Sequence, residues 1–266
     1  MATGVLLDID GVLVVSWKAL PGAVEALAWV RSEDLPYRLV TNTSSKSRRQ
    51  IARLLSGAGL PVAKDHVLTA VSSARRYLLE RHPGAPCYVV NEGSLVEDLD
   101  GVELTGPDRA EVVLLGGAGP RTGYRELDAV FGLAARGVPV VALHRNTRFQ
   151  TASGPALDMG AFVIGLEAAA GIDIPVVGKP APAFFRAALD DLGATASDTV
   201  MVGDDVVSDV LGAQAVGCTG VLVRTGKFRP EDLDPGLRDE SPRPDHVING
   251  VGDLPGLVRQ LAGGTG

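Results

Sequence analysis

The sequence predicts an α/β fold, a doubly wound parallel sheet with a smaller α/β domain inserted into it. Three observations predict it. Short apolar runs alternate with amphipathic stretches along the 266 residues, the pattern of parallel strands covered by helices. Polar residues follow directly on several of those runs, at the strand ends where open parallel sheets bind ligands. A middle stretch, 73–175, repeats the alternation and is long enough for a core of its own.

The elements follow in order. "GVLLDI" (4–9) reads as the first strand. "PGAVEALAWVRSED" opens with Pro21 and sets Val24, Leu27, Ala28 and Val30 roughly on one helical face. "YRLVTN" (37–42) is the second strand, and "SSKSRRQIARLLSGAGL" is a helix closed near Gly57 or Gly59. In the middle, "PCYVVNEG", "AEVVLLGGAG" and "VPVVALH" (138–144) read as strands, with a helix over 123–136. "IPVVG" (174–178) reads as a strand leading to a helix opened by Pro180 and carrying Phe184, Phe185, Ala188 and Leu189. "DTVMVGDD" (198–205) leads into the helix "VVSDVLGAQAVG", and "TGVLVRTG" is another strand. "DHVINGVGDLPGLVRQLAG" supplies the last strand and helix. Residues 1–72 and 176–266 are thus expected to form one domain from both chain ends, with 73–175 as the insert.

Composition narrows the function. Basic residues number 25 against 32 acidic ones, a formal charge of −7, with 45% hydrophobic and 21% charged residues. That balance excludes a disordered chain and gives no basic face for nucleic acid. The nearest basic cluster, "KSRRQ" (46–50), reads as a solvated helix surface. Cys87 and Cys218 lie far apart without metal-ligand spacing, which suits small buried hydrophobes in a reducing compartment. Asp8 and Asp10 break the one apolar run near the N-terminus, and no window approaches a membrane span. The expectation is a cytoplasmic protein without membrane partners.

The chemistry gathers at the strand ends. Asp8 and Asp10 would share a face if the first strand ran that far, and Gly11 permits the turn that follows. Thr41 and Asn42 end the second strand, and Gly203, Asp204 and Asp205 end another. With Asp209, five carboxylates could face one crevice. Lys179, one of five lysines in the chain, is the evident counter-charge. Such a group repels itself in a desolvated cleft. A divalent cation resolves the conflict, and oxygen-only ligands favour Mg2+. Each element alone has an ordinary explanation, as an Asp-Gly turn, a helix cap or a strand–helix turn. Their joint placement at strand ends does not.

"DIDGV", "LVTN", "GKP" and "VGDDVVSD" resemble the four motifs of the haloacid dehalogenase superfamily of phosphatases, over essentially the whole chain. The insertion falls where the NagD-like branch carries a large α/β cap on its Rossmann-like core. The longer strings "TNTSSKSR", "VVGKPAPAFF", "GDDVVSDVLGAQ" and "VRTGKFRP" resemble members of that branch acting on phosphoamino acids and pyrophosphate. The resemblance implies that Asp8 is the nucleophile and Asp10 the acid and base. It implies that Asp8, the Asp10 carbonyl and Asp204 hold Mg2+, and that Thr41, Asn42 and Lys179 bind phosphate. Asp205 and Asp209 would orient metal-bound water and Lys179. In the cap, the loop "HRNTRFQTASG" (144–154) offers His144, Arg145, Asn146, Arg148 and Phe149 as substrate contacts. The implied activity is hydrolysis of a small phosphorylated metabolite, phosphoamino acid or pyrophosphate through an aspartyl-phosphate, by a homodimer. A phosphotransferase or phosphomutase on the same core, and a non-catalytic phosphate-binding module, are the alternatives.

Overall fold

The computed structural model describes residues 4–151, 154–233 and 243–263. Its strands in chain order are β1 (Gly4–Asp8), β2 (Tyr37–Thr41), β3 (Val67–Thr69), β4 (Cys87–Val90), β5 (Leu104–Thr105) and β6 (Val112–Leu115). They continue with β7 (Val140–Ala142), β8 (Arg148–Thr151), β9 (Gly154–Leu157), β10 (Thr199–Gly203), β11 (Thr219–Val223) and β12 (His246–Ile248). A two-residue hairpin, Val14–Val15 with Lys18–Ala19, follows β1. The longer helices are α1 (Ala23–Ser32), α2 (Arg48–Gly57), α3 (Ala70–Arg81), α4 (Tyr124–Ala135), α5 (Met159–Ala170), α6 (Pro182–Leu192) and α7 (Leu254–Gly263).

Two compact units result. The first takes Met1–Thr41, Arg48–Leu68 and Lys179–Gly266, and the second takes Asn42–Ser47 and Thr69–Gly178. The first holds a six-stranded sheet in the order β12-β11-β10-β1-β2-β3, with the register of β1 against β10 and β2 parallel throughout. Its strands bury both faces because alternate residues point oppositely. Val5, Leu7, Leu39, Val200 and Val202 pack with Leu27 and Val30 of α1, Ile51 and Leu55 of α2, and Leu254 of α7. Leu6, Val40 and Met201 face the other way, onto Phe184, Phe185 and Leu189 of α6. This is the doubly wound sheet that the apolar runs predict.

The second unit repeats the plan with a four-stranded parallel sheet, β5-β4-β6-β7. Val113 and Leu115 face α4 and α5 through Val130, Leu133 and Val163. Val112 and Leu114 face α3 through Val71, Ala74 and Leu78. Cys87 and Cys218 are free and buried. No helix among the described residues is long and apolar enough to cross a membrane.

Several local expectations need correction. Residues 174–178 form no strand but a single bridge, Val176 to Ala142. The Ala142 N–H donates to the Pro175 carbonyl at 2.9 Å, and Pro175 has no N–H with which to extend a ladder. The Ser73 hydroxyl donates to the Val177 carbonyl at 2.7 Å, so this segment joins the second unit. Residues 42–47 join it too, held by the Asn91 amide donating to the Ser44 carbonyl at 3.1 Å. The segment after Asp205 is a π-helix, Val206–Leu211, before a short α-helical turn. The loop 144–154 contains β8, whose residues pair antiparallel with β9.

Candidate active site

The central strand of the first sheet ends on Asp8, which is buried. In register, Asp8 stands opposite Val40, so Thr41 lies one residue beyond it. Leu7 stands opposite Val202, which brings Gly203 level with Asp8 and Asp204 one residue further. Parallel pairing thus sets the polar tips of three neighbouring strands together. Asp10 differs from Asp8: β1 has ended, Ile9 is fully buried and the Asp10 side chain is exposed. The shared-face expectation for the two carboxylates does not extend past the strand, because the alternation ceases with it.

Lys179 links the cluster. Its Nζ donates to Asp8 Oδ1 at 2.5 Å and to Asp209 Oδ1 at 2.6 Å. Asp209 Oδ2 accepts the Asp205 N–H at 3.1 Å, so both oxygens of this buried carboxylate are held. The π-helix carries Asp209 back against the strand end so closely that a Cβ on Gly203 would lie 2.1 Å from the Asp209 Cβ. Asp205 caps the same π-helix, its Oδ1 accepting the Val207 and Ser208 N–H groups at 3.1 and 2.9 Å.

The electrostatics are those of an anionic group short of cations. Burial pushes the Asp8 carboxyl well above the carboxylate range; Lys179 opposes this, while Asp209 and Asp204 add to it. Burial, then Asp209, raises Asp204 to about 6, against the stabilising N–H of Lys227. Burial acts to lower the Lys179 ammonium, but Asp209 and Asp8 outweigh it and raise its pKa, so the group stays charged. Burial also acts to raise Asp205, yet the Ser208 N–H and the Lys227 ammonium bring it below its usual value.

Asp8, Asp204 and Asp209 each present a carboxylate oxygen, all within 4.8 Å of one another, and all three residues are buried. The donors are hard oxygens, and their carboxyls are driven upward by burial and mutual repulsion. A hard divalent cation would supply the missing positive charge, and the donor set of these residues fits Mg2+. Asp209 lies within this group, but Lys179 and the Asp205 N–H hold its two oxygens, which suits the orienting role expected of it.

The sequence reading missed the loop after β11. The Lys227 N–H donates to Asp204 Oδ2 at 2.7 Å, and its Nζ donates to Asp205 Oδ2 at 3.2 Å. The Thr225 hydroxyl donates to the Gly11 carbonyl at 2.6 Å, lacing this loop to the turn after β1. Gly11 (φ 91°) and Gly226 (φ 64°) flank Asp204, and a Cβ on either would fall 1.9 or 2.0 Å from its Oδ2. Lys227 is therefore a second counter-charge beside Lys179. The available signal was "RTGK" at a strand's carboxyl end, the same position as the other motifs.

The remaining candidates belong to the second unit. The Asn42 side chain packs at Gly178, where a Cβ would stand 2.6 Å from Asn42 Oδ1. His144 is buried, its Nε2 3.9 Å from Asp158 Oδ2. Asp158 caps α5, its Oδ1 accepting the Met159 N–H at 2.8 Å, and also accepts the Ala118 N–H. His144 thus packs beside a structural carboxylate. Arg145 pairs with Glu167, whose carboxylate also accepts the Ile174 N–H at 2.8 Å. The Asn146 carbonyl accepts the Gly160 N–H at 2.9 Å. Arg148 is exposed on β8; the Phe149 side chain and residues 152–153 lie outside the described residues.

Comparison with known proteins gives the family of the chain. A family described as haloacid dehalogenase-like hydrolase matches residues 5–105, and a related hydrolase family matches 176–254. The chain is 37% identical over 235 residues to rat phospholysine phosphohistidine inorganic pyrophosphate phosphatase, covering 86% of this chain and 85% of the relative. It is 37% identical over 228 residues to human haloacid dehalogenase-like hydrolase domain-containing protein 2, covering 86% of each. Among solved structures, a p-nitrophenyl phosphatase from Archaeoglobus fulgidus superposes with TM-score 0.88 at 30% identity, over 95% of this chain and 98% of that one. NagD from E. coli K-12 superposes with TM-score 0.84 at 29% identity, over 94% and 97%. With matching family segments at both ends and relatives alike over most of its length, the chain belongs to the haloacid dehalogenase-like hydrolases.

Proposed function

We propose that this protein is a Mg2+-dependent phosphatase that hydrolyses a small phosphorylated molecule through an aspartyl-phosphate on Asp8. The observation that carries the reading is Asp8 at the tip of the central strand, 2.5 Å from a buried lysine and amid further carboxylates. Lys179 holds Asp8 Oδ1, which leaves Oδ2 to attack phosphorus, splitting one difficult step into two. The Thr41 hydroxyl, the Asn42 N–H and the Lys179 ammonium bind the phosphoryl oxygens as charge shifts among them. Asp10 is exposed where Asp8 is buried, so it meets both leaving group and water. It gives its proton to the departing oxygen, then takes one from the water that hydrolyses the acyl phosphate. Held by Asp8, Asp204 and the Asp10 carbonyl, with Asp205 and Asp209 orienting its water and Lys179, Mg2+ would offset the carboxylate charge and draw in a phosphate oxygen.

The substrate range follows the relatives' names: phosphoamino acids, pyrophosphate and aryl phosphates. The second unit acts as the cap, with Arg145, Asn146, Arg148 and Phe149 as its substrate contacts, and the protein works as a homodimer. Free buried cysteines support a reducing, cytoplasmic setting. The test is Asp8→Asn. Release of inorganic phosphate from p-nitrophenyl phosphate should fall at least about a thousandfold in kcat, and chelation should abolish it in the parent until Mg2+ is restored. Near-normal turnover by the variant would exclude covalent catalysis at Asp8.

A further inference from the structure

In the second unit, the carboxyl ends of the parallel strands, where such a sheet ordinarily binds a ligand, hold a piece of the chain itself. Val90 of β4 stands opposite Leu115 of β6, so Asn91 comes level with Gly116 just past the strand ends. The Gly116 N–H donates to the Val90 carbonyl at 2.8 Å, and the Glu92 N–H donates to the Gly117 carbonyl at 2.9 Å. Against this edge lies the segment 42–47. The Asn91 amide nitrogen donates to the Ser44 carbonyl at 3.1 Å and to the Glu92 and Gly93 carbonyls at 2.7 and 3.2 Å. Asn91 Oδ1 accepts the Gly117 N–H at 2.7 Å. Three carbonyls at one end of the amide and an N–H at the other fix which end is nitrogen. Three glycines leave the room. A Cβ on Gly116 would stand 2.0 Å from Asn91 Oδ1, one on Gly117 2.8 Å from Ser44 Oγ, and one on Gly93 2.8 Å from the Ser45 carbonyl oxygen.

The segment so held begins with Asn42, directly after Thr41 at the end of β2. The Asn42 side chain is fixed in the same unit, where a Cβ on Gly178 would stand 2.6 Å from its Oδ1. A backbone N–H has no torsion of its own, because it turns with its peptide plane. Contacts that fix the chain over 42–45 therefore set the direction of the Asn42 N–H. We infer that Asn91 is a positioning residue for phosphate binding, its amide clamping the segment at Ser44 so that the Asn42 N–H keeps one direction for a phosphoryl oxygen. The inference rests on the phosphate-binding role proposed for Asn42, and it assigns Asn91 no contact with substrate. A donor held in advance need not be ordered when the anion binds, so loss of the clamp lowers phosphate affinity. The proposed cation ligands lie outside the segment and are left as they are. Packing of Ser45 on Gly93 persists without the clamp, so the effect is moderate.

Calorimetric titration of the Mg2+-saturated protein with inorganic phosphate, and of the metal-free protein with MgCl2, reads the two affinities separately and without turnover. Asn91→Ala removes the donor to Ser44, and Asn91→Asp keeps the shape but sets a carboxylate against three carbonyls. Phosphate affinity should fall about three- to tenfold in Asn91→Ala and at least as far in Asn91→Asp. Mg2+ affinity should stay within about twofold of the parent in both. Val130→Ala opens a cavity in the core of the same unit and is the control for lost stability; its phosphate affinity should match the parent's. Gly117→Ala crowds Ser44 Oγ without removing the amide, and should weaken phosphate likewise should either Asn91 variant not fold. Parental phosphate affinity in Asn91→Ala overturns the inference. So does an equal loss of both affinities, or a matching loss in Val130→Ala, since the side chain would then only support the fold. An effect confined to Asn91→Asp overturns it too, because added charge rather than lost positioning would be repelling the anion. A parent that binds Mg2+ but no phosphate would instead overturn the role of Asn42 on which this inference rests.

Discussion

A carboxylate at a strand end is informative only through its neighbours. Asp8 was legible because an apolar strand does not end on a buried acid without cause, and because Thr41 and Asp204 end other strands in the same manner. Lys227 carried only one signal, its place in "RTGK" at a strand's carboxyl end, since a lysine in a turn otherwise looks like any solvated residue. Its use depends on β11 lying beside β10, an adjacency that alternation alone does not give. Gly226 was hidden for the same reason. It has a positive φ of 64°, and a Cβ there would stand 2.0 Å from Asp204 Oδ2. Gly226→Ala must therefore displace either the Asp204 carboxylate or the loop that carries the Lys227 N–H, on top of the cost of a left-handed alanine. Mg2+ affinity, measured by calorimetry, should drop at least about tenfold, the equivalent of about 1.4 kcal/mol. Unchanged affinity would show that Asp204 does not hold the cation.

At the scale of elements, long apolar strands were read correctly and irregular ones were not. Each of β1, β2 and β10 buries every residue or all but one, so its run of Val, Leu and Met stands out. β3 and β5 are too short for any pattern, and β8 is polar. The π-helix at Val206–Leu211 was read as ordinary helix, because its sequence differs from one only through the contact of Asp209 with the strand end. Two glycines show how far such a contact decides a substitution. Gly165 sits inside α5 with nothing within 4 Å of a Cβ, so Gly165→Ala should stabilise by about 0.5–1 kcal/mol through backbone entropy alone. Gly203 ends β10 with Asp209 at 2.1 Å, so Gly203→Ala should destabilise by about 1–3 kcal/mol and lower kcat through the displaced Asp209. Urea unfolding of both variants checks the opposite signs; equal effects would mean that the β10–π-helix junction is not tightly packed.

The division of the molecule into two units was legible in outline, from an insert with its own alternation of strands and helices. Its edges were not, since contacts far apart in sequence, such as Asn91 to Ser44 and Ser73 to Val177, decide them. The same holds for stability, where the acidic group imposes a cost that belongs to the folded state as a whole. In the unfolded chain an aspartate titrates near about 3.9. In the folded, metal-free protein Asp204 is raised to about 6 and Asp8 is raised as well. Between those values the folded state binds more protons than the unfolded state, so stability falls as pH rises. The contribution of Asp204 is complete below about pH 4 and is lost as pH passes through about 6; that of Asp8, raised in the same direction, also declines as pH rises. Asp205, held below its usual value, acts oppositely and loses its contribution only in acid; Lys179, raised, loses its own only in alkali. Removing one raised group isolates its effect. In chelator, the thermal midpoint of Asp204→Asn should rise relative to the parent as pH increases from 4.5 to 7 (a series set about the two values above). Saturating Mg2+ should close that gap by stabilising the parent, since the cation binds the folded, ionised cluster and gains affinity as the carboxylates lose their protons. Parallel midpoint curves for the two proteins would mean that Asp204 ionises without penalty. The buried acids would then have no need of a cation.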